Sequence, residues 1–508
     1  MSSAFSGISI ATRGLHASQT ALNATSHNIA NVNTNGYVRQ QAIQADSSYL
    51  RTGRYSVGTG VKIEEIRQIR SIFLDNMYRN EQSSLSYWQI RQNTVDDIEA
   101  VMNDLSEDGS IENAIEEFFA AWEELYKDPA SGAARASVLE HANSLVEMLN
   151  QLDAQLNQIQ EYLDSQIESM VEDINSISER IAELNGKIAR CEANGDNAND
   201  YRDELNLLLD TLSEYVNISV STTSNGMYSV SIGGAVLVSG TDINKLACET
   251  GSSNGAFNTV IWEDTGTELI LKDGMLLGLI EARGDVNGYK GSAENGSPME
   301  SGYEESDVDA DADSYNFTGD SMNLIPELRT GLNMLVSLLA RKINAIHRSG
   351  EGLDGSTGID FFVKIDDSLP FEIGNIQVNP ELLDNTDKIA ASSIGGSNDG
   401  LIAAKIADFA DTAYFKYDGL KMDIDDFYSS LIGWIGTEGD EAESFVSSQD
   451  ILMEQMASAR ESLSAVSLDE ELANLIKFQH AYNASARLMS IVDSMLGTVI
   501  EEMGLVGR

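Results

Sequence analysis

The side chains best suited to chemistry in this 508-residue chain are five histidines, two cysteines and a run of alternating aspartates. His16, His27, His141, His347 and His480 are scattered. No two are four apart and no H-E-x-x-H occurs, so the paired imidazoles of a zinc hydrolase are lacking. His347 and His480 are read as packing or surface residues. Cys191 and Cys248 form no C-x-x-C pair and no disulfide framework; both are expected to be reduced and inert. "DVDADAD", Asp307 to Asp313, places carboxylates at alternate positions, which suits a calcium loop. It fails the EF-hand pattern because Ala312 stands where glycine is needed, so a solvated acidic loop is expected. Acidic pairs are too abundant for any one to mark general acid–base chemistry, and no Walker A loop is present. The reading is therefore no catalytic residue, no cofactor and no metal.

Charge narrows the partners. There are 81 acids against 32 bases, a formal net charge of −49. Duplex nucleic acid is bound by neutralising phosphates with Lys and Arg, and an anionic membrane surface recruits the same residues, so both are disfavoured. The start, "MSSAFSGISIATRG", has no basic region followed by a long apolar run and is not read as a secretory signal. No apolar run approaches about 18 residues, the length that suggests a membrane span.

Periodicity then sets the scaffold. A helix is expected from about residue 4 to 30, with Ile8, Leu15, Leu22 and Ile29 seven apart. The small residues Ala4, Ala11, Ser18 and Thr25 hold the offset positions and let another helix come close. The other end mirrors it: Leu468, Leu475, Tyr482, Met489, Leu496 and Met503 are seven apart, and Leu472, Ala486 and Ile500 widen the stripe. "SLDEELANL" carries a capping box of Ser467 and Glu470. A longer seam runs from Leu145 to Ile188 in steps of three and four, with a stutter at Ile159–Leu163–Ile167. Asp128 is expected to cap that helix with Pro129 in its first turn. Further helices are expected over about 69–105 and 324–347.

Between Val216 and Leu271 the period falls to two. "VNISVSTTSNGMYSVSI" alternates around Asn225-Gly226, a strong hairpin signal. Short strands are expected near 235–238, 258–262 and 268–271, followed by a glycine-rich acidic loop. The fold class is mainly α with a β-rich insertion. It has a terminal-helix coiled coil (1–40 with 465–508), a long helical bundle domain (41–212 with 321–464) and a small β domain (213–320).

The first helix runs into "NIANVNTNGYVRQ". Asn and Gly end helices in the left-handed region, and Asn side chains set turns, so Asn28, Asn31, Asn33 and Asn35-Gly36 are read as a tight exit before an extended segment from Tyr37 and Arg39. "SHNIANVNTNGYVRQ" closely resembles the N-terminal signature of bacterial flagellar axial proteins, the rod, hook and hook-associated family. "SLDEELANLIKFQHAYNASARLMSIVDSML" resembles that family's paired C-terminal helix. Relatives often carry proline where this chain has Asn35. "YKDPASGAARASVLEHANSLVEML" and "LVSLLARKINAIHRSG" followed by "GIDFF" are similar to the branch at the hook–filament junction. The second β insertion that larger junction proteins carry after "DFF" looks absent.

That resemblance implies a structural subunit and not an enzyme. Its terminal helices would pair and pack into a tube shared by copies, through Ile8, Leu15, Leu22, Ile29, Asn28, Asn31, Asn33 and Gly36 on one side and Leu468, Leu472, Leu475, Tyr482, Met489, Leu496 and Met503 on the other. It implies as partners further copies in a ring, hook protein, the second junction protein, and a flagellar export chaperone on the C-terminal helix. It implies an extracellular place in the flagellum, reached through the type III export apparatus without a cleaved signal peptide. Another axial component, such as hook protein or a flagellin-like subunit, is the alternative. An enzyme carried on the β insertion and a cytoplasmic coiled-coil protein are the readings from other classes.

Overall fold

The computed structural model describes residues 2–52, 55–103, 110–193, 195, 197–223, 225–250, 257–284, 300 and 302–501. In chain order, α1 (Ser2–Ala30) is followed by β1 (Gln40–Asp46), β2 (Tyr49–Thr52), β3 (Tyr55–Gly58) and β4 (Val61–Gln68). Four helices come next: α2 (Ile72–Asn103), α3 (Ile111–Lys127), α4 (Gly132–Glu192) and α5 (Asn199–Tyr215). The β module holds β5 (Ile218–Thr222), β6 (Tyr228–Ile232), β7 (Ala235–Ser239), β8 (Asp242–Ile243), β9 (Leu246–Thr250) and β10 (Asn258–Trp262). Then come α6 (Met275–Arg283), α7 (Glu305–Ser314), α8 (Leu324–Arg348), β11 (Phe362–Val363), β12 (Gln377–Val378), α9 (Pro380–Asp384), α10 (Leu401–Ala407), β13 (Phe415–Tyr417), β14 (Leu420–Met422), α11 (Ile424–Ser464) and α12 (Leu468–Glu501). The architecture is mainly α with small β elements, and no helix among the described residues is long and apolar enough to cross a membrane.

The spine is α4, 61 residues long and roughly 90 Å end to end at ~1.5 Å per residue. Its N-cap is Ser131, whose hydroxyl accepts the Ala134 N–H; Asp128 instead closes α3. Its buried face keeps most of the expected seam, from Leu145 to Ile188, and adds polar positions to it. The buried positions Leu149, Gln160, Val171 and Ala182, then Leu152, Leu163, Ile174 and Asn185, then Leu156, Ile167 and Ser178, each recur every eleven residues. Such a repeat keeps one stripe on one side without a left-handed supercoil. Ile159, Met170 and Ile177 are only partly buried. Polar residues take core positions because each finds a bond. Gln160 Nε2 donates to Arg283 O at 2.8 Å, Ser178 Oγ to Ile174 O at 2.7 Å, and Asn185 Nδ2 to Tyr228 O and Gly240 O at 2.9 Å each.

At the centre, α8 is buried on nearly every side. Its two deepest guanidiniums are paired, Arg329 to Asp153 at 2.7 Å and Arg341 to Asp311 at 2.7 Å. Asp311 belongs to α7, which corrects the expectation of a solvated loop over "DVDADAD": that stretch is helical, with Val308, Asp311 and Ala312 turned inward. The hairpin at Asn225-Gly226 forms as expected. β5 and β6 pair antiparallel, with Gly226 at φ +77°. β5–β8 make one four-stranded sheet and β9–β10 a separate pair. Residues 268–271 form an isolated bridge, Glu268 to Ile261, and no strand.

Candidate assembly interface

The two ends of the chain meet at Asn28. Its side chain is 1 % exposed, so each polar atom needs a partner. Oδ1 accepts from the Tyr37 hydroxyl at 2.8 Å and the Gln40 N–H at 2.9 Å. Nδ2 donates to Gln40 O at 2.9 Å and to Glu471 Oε2 at 3.1 Å. An amide side chain can make two bonds of each kind; Asn28 makes all four. It therefore fixes the end of α1, the start of β1 and the first turn of α12 to one another. Burial, with Asp200, Asp203 and Glu471 nearby, pushes the Tyr37 phenol above its ordinary value, so Tyr37 stays protonated and donates.

Arg39 completes the junction. Its guanidinium reaches Glu471 Oε1 at 2.7 and 2.9 Å and Glu470 Oε2 at 2.9 Å, while its backbone N–H donates to Ser464 O at the end of α11. Glu471 is 2 % exposed; a buried carboxylate is held only where it is paired and hydrogen-bonded, as it is here. The other asparagines shape the exit. Asn31 bonds back to His27 O through both its N–H and its side chain, and its Oδ1 accepts from Thr34 Oγ1. Asn33 is exposed. Gly36 takes φ +77° against Leu207, a conformation glycine adopts without strain.

Beyond the junction α1 and α12 run antiparallel. A Cβ on Gly7 would lie 3.3 Å from Val492 and one on Gly14 2.9 Å from Ser485, while Asn28 meets Glu471. The small residues Ala11, Ser18, Ala21 and Thr25 form the buried line of α1; Ile8, Leu15, Leu22 and Ile29 are only half-buried. On α12 the expected stripe divides. Leu475, Tyr482, Met489 and Leu496 are half-buried, and Val492 is buried. Leu468 and Leu472 face water, and with Ile476, Leu488, Ile491 and Met495 they form exposed apolar positions. Met503 lies outside the described residues.

The heptad spacing picked out the half-buried line and passed over Ile476, Leu488, Ile491 and Met495. Their signal was the apolar content of α12 on more than one face. Tyr37, Arg39 and Glu471 were legible only as neighbours of the asparagine run and the capping box.

A separate ion cluster ties α11 to the body. Arg460 reaches Asp210 at 2.6 Å and Asp75 at 3.2 Å; Arg79 reaches Asp210 at 2.8 Å, and Arg70 holds Asp75 at 2.5 Å. The remaining candidates for chemistry are dispersed. His347 is buried, its Nδ1 2.7 Å from Ile359 O, and its Nε2 accepts the Ala390 N–H at 2.9 Å. Burial lowers its pKa to about 4, leaving the ring neutral. Cys191 and Cys248 are free thiols, and burial pushes Cys248 up to about 11. A G-x-S-x-G string, Gly251 to Gly255, lies outside the described residues. The flanking β9 and β10 pair antiparallel, whereas a nucleophile elbow leads from strand to helix. Among the described residues no three His, Cys, Asp or Glu side chains gather as a metal site.

Comparison with known proteins gives a consistent result along the chain. The profile of the flagellar hook-associated protein FlgK helical domain matches residues 95–362, that of the flagella basal body rod protein 8–37, and that of the flagellar basal body rod FlgEFG protein C-terminal region 458–502. Flagellar hook-associated protein 1 of Bacillus subtilis (strain 168) is 30 % identical over 538 residues, covering 100 % of both chains. The protein of that name from Salmonella typhimurium is 23 % identical, covering 97 % of this chain and 99 % of its own. The solved structure of the flagellar hook junction protein FlgK from Burkholderia pseudomallei superposes with a TM-score of 0.58 at 15 % identity, covering 77 % of this chain and all of that one.

Proposed function

This chain belongs to the flagellar hook-associated protein 1 family, a component of the hook–filament junction of the bacterial flagellum, and from that premise we propose that it is a structural subunit of a junction ring. Copies associate through the paired terminal helices. The observation that carries this reading is the outward face of α12. Leu468, Leu472, Ile476, Leu488, Ile491 and Met495 are each 41–61 % exposed on a helix already paired along its other side. About half of each side chain remains to be covered, which returns roughly 1 kcal/mol per residue. Association costs about 4–15 kcal/mol, so one neighbour on this stripe holds a copy weakly. A closed ring, in which every copy has two neighbours, holds it firmly.

Hook protein on one side and the second junction protein on the other are the partners of such an adaptor. The same apolar face suits an export chaperone binding a helix in a groove, which keeps it covered before assembly outside the cell. Export proceeds through the flagellar type III apparatus. The work is mechanical, joining two lattices, and requires no catalytic group.

Deleting the gene and imaging the cells tests this. Hooks without filaments, with flagellin shed into the medium, are expected. Filaments of normal number and length on the deletion strain would overturn the proposal.

A further inference from the structure

Six Asn-Gly pairs occur in the chain. Those at Asn254, Asn287 and Asn295 lie outside the described residues; those at Asn35, Asn185 and Asn225 lie within them. Glycine has no Cβ to shield its backbone nitrogen, so that nitrogen can reach the side-chain carbonyl carbon of the asparagine before it. The attack needs a glycine N–H and an asparagine amide that are both free. In α4, Asn185 is buried and its amide is bonded to Tyr228 and Gly240. In the β5–β6 hairpin, the Gly226 N–H donates to Thr223 O at 3.0 Å. The exit from α1 differs. Tyr37 N–H donates to Thr34 O at 3.2 Å and closes a turn with Asn35 and Gly36 at its centre. Within that turn φ is positive at Gly36 alone, which makes it a type II turn. Asn35 is exposed. Among the described residues neither its amide nor the Gly36 N–H has a hydrogen-bond partner. The peptide between them is therefore free to rotate and turn the Gly36 nitrogen toward Asn35 Cγ.

We propose that Asn35 is a site of spontaneous covalent modification, converting to aspartate and isoaspartate, and that the change loosens the terminal unit, formed by α1, β1–β4 and α12, from the helical body. The Gly36 nitrogen loses its proton to solvent and bonds to Asn35 Cγ. The side-chain nitrogen leaves as ammonia, and a cyclic imide remains. Solvent water then opens the imide. Attack at Cγ breaks the new C–N bond and gives aspartate. Attack at the main-chain carbonyl breaks the original peptide bond and gives isoaspartate, whose main chain runs through Cγ and is one carbon longer. Both products carry a carboxylate where the amide was neutral. Asn35 lines a cavity of about 320 Å³ with Asp200, Asp203 and Glu204 of α5, so the new charge meets three like charges and is repelled. His27, the basic side chain in that lining, already stands 3.8 Å from Asp200. The extra carbon displaces the residues that follow. The Tyr37 hydroxyl donates to Asn28 Oδ1 at 2.8 Å, and the Val38 N–H donates to Asp203 Oδ2 at 3.2 Å. These bonds hold the exit turn to α1 and to α5, and both lie within three residues of the modified position.

Peptide mass mapping of the full chain, aged at neutral pH, tests the chemistry. In the folded chain Asn35 is expected to convert roughly tenfold faster than Asn185 and Asn225, because the bonds that hold those two pairs must first open. In denaturant the three are expected to convert at similar rates. Anion exchange separates the converted chains by their added negative charge. Hydrogen exchange on them is expected to show lost protection in the segment containing Val38 and unchanged protection in α8. Asn35→Gln is expected to keep its charge and its protection through the same ageing. Asn35→Asp, which adds the charge without the extra carbon, is expected to lose less protection than the isoaspartyl chain. An Asn35 that stays intact, or an Asn225 that converts as fast in the folded chain, overturns the modification. Converted chains with full protection at Val38 overturn the loosening.

Discussion

Asn28 and Glu471 stand 443 positions apart in the sequence and share a buried hydrogen bond of 3.1 Å. Through that bond the end of the first helix and the start of the last become one unit. Neither residue is apolar, so the register between the two helices is set by polar satisfaction, and the small residues between them only permit the approach.

Replacing Asn28 with alanine leaves the Gln40 N–H and the Glu471 carboxylate short of partners in a buried place. Each group so orphaned costs about 1–3 kcal/mol. Asn28→Ala is expected to free the terminal unit before the body melts, read as loss of hydrogen-exchange protection confined to 28–40 and 464–475. Asn28→Asp, which sets a second carboxylate beside Glu471, is expected to be worse.

Asp210 pairs with two guanidiniums, the buried Arg79 and the half-buried Arg460. Removing one partner of a buried ion pair costs about 3–5 kcal/mol because the other charge stays buried. Asp210→Ala is expected to lower the free energy of unfolding by up to that amount, measured by denaturant titration, and to loosen the end of α11 that carries Arg460. The matched loss of Arg460 is expected to be smaller, since Arg70 and Arg79 still hold Asp75 and Asp210.

His347 is neutral inside the body, lowered to about 4 by burial. A depressed histidine contributes stability that is complete above its ordinary 6.5 and is lost as pH falls toward 4. The unaltered chain is expected to lose roughly 3 kcal/mol from this group across that window, measured by denaturant unfolding at pH 7, 5.5 and 4. A His347→Asn chain is expected to lack that share of the acid slope.

Gly433 and Gly436 lie within α11, and nothing sits within 4 Å of a Cβ built on either. Alanine there gains about 0.5–1 kcal/mol per site from reduced backbone freedom. A double Gly→Ala chain is expected to melt higher while assembling normally.

What the sequence disclosed depended on whether the signal was apolar and regular. The seam of α4 was legible as a long helix, but Gln160, Ser178 and Asn185 break the apolar pattern. They are buried because Arg283 O, Ile174 O and the Tyr228 and Gly240 carbonyls receive them, and no spacing rule contains that information. The apolar seam was legible, and the polar members of its eleven-residue repeat were not. β1 and β4 escaped because their register shifts at Ile43/Gln44, which spoils the alternation of Val61, Ile63 and Ile66. In α7, aspartate suggested a loop, and only a tertiary partner, Arg341, shows why Asp311 turns inward. The asparagine turn was legible as a turn, but the buried four-bond hub at Asn28 needed Glu471 from the far end of the chain. The heptad on α12 identified a face and left open which side meets α1.

That last division separates two kinds of damage. Leu475→Asp puts a charge into the contact between α12 and α1, and is expected to loosen the terminal pair in the single chain. Ile491→Asp alters a side chain that is 57 % exposed, and is expected to leave the circular dichroism and melting of the single chain unchanged while filament attachment is lost.

The most direct measurement is electron cryomicroscopy of the hook–filament junction in intact flagella of the parent organism. The account predicts that Leu472, Ile476, Leu488, Ile491 and Met495 of each copy are covered by neighbouring copies, with the Asn28–Glu471 bond intact. A junction in which that face of α12 lies open to water, with copies joined elsewhere, would contradict it.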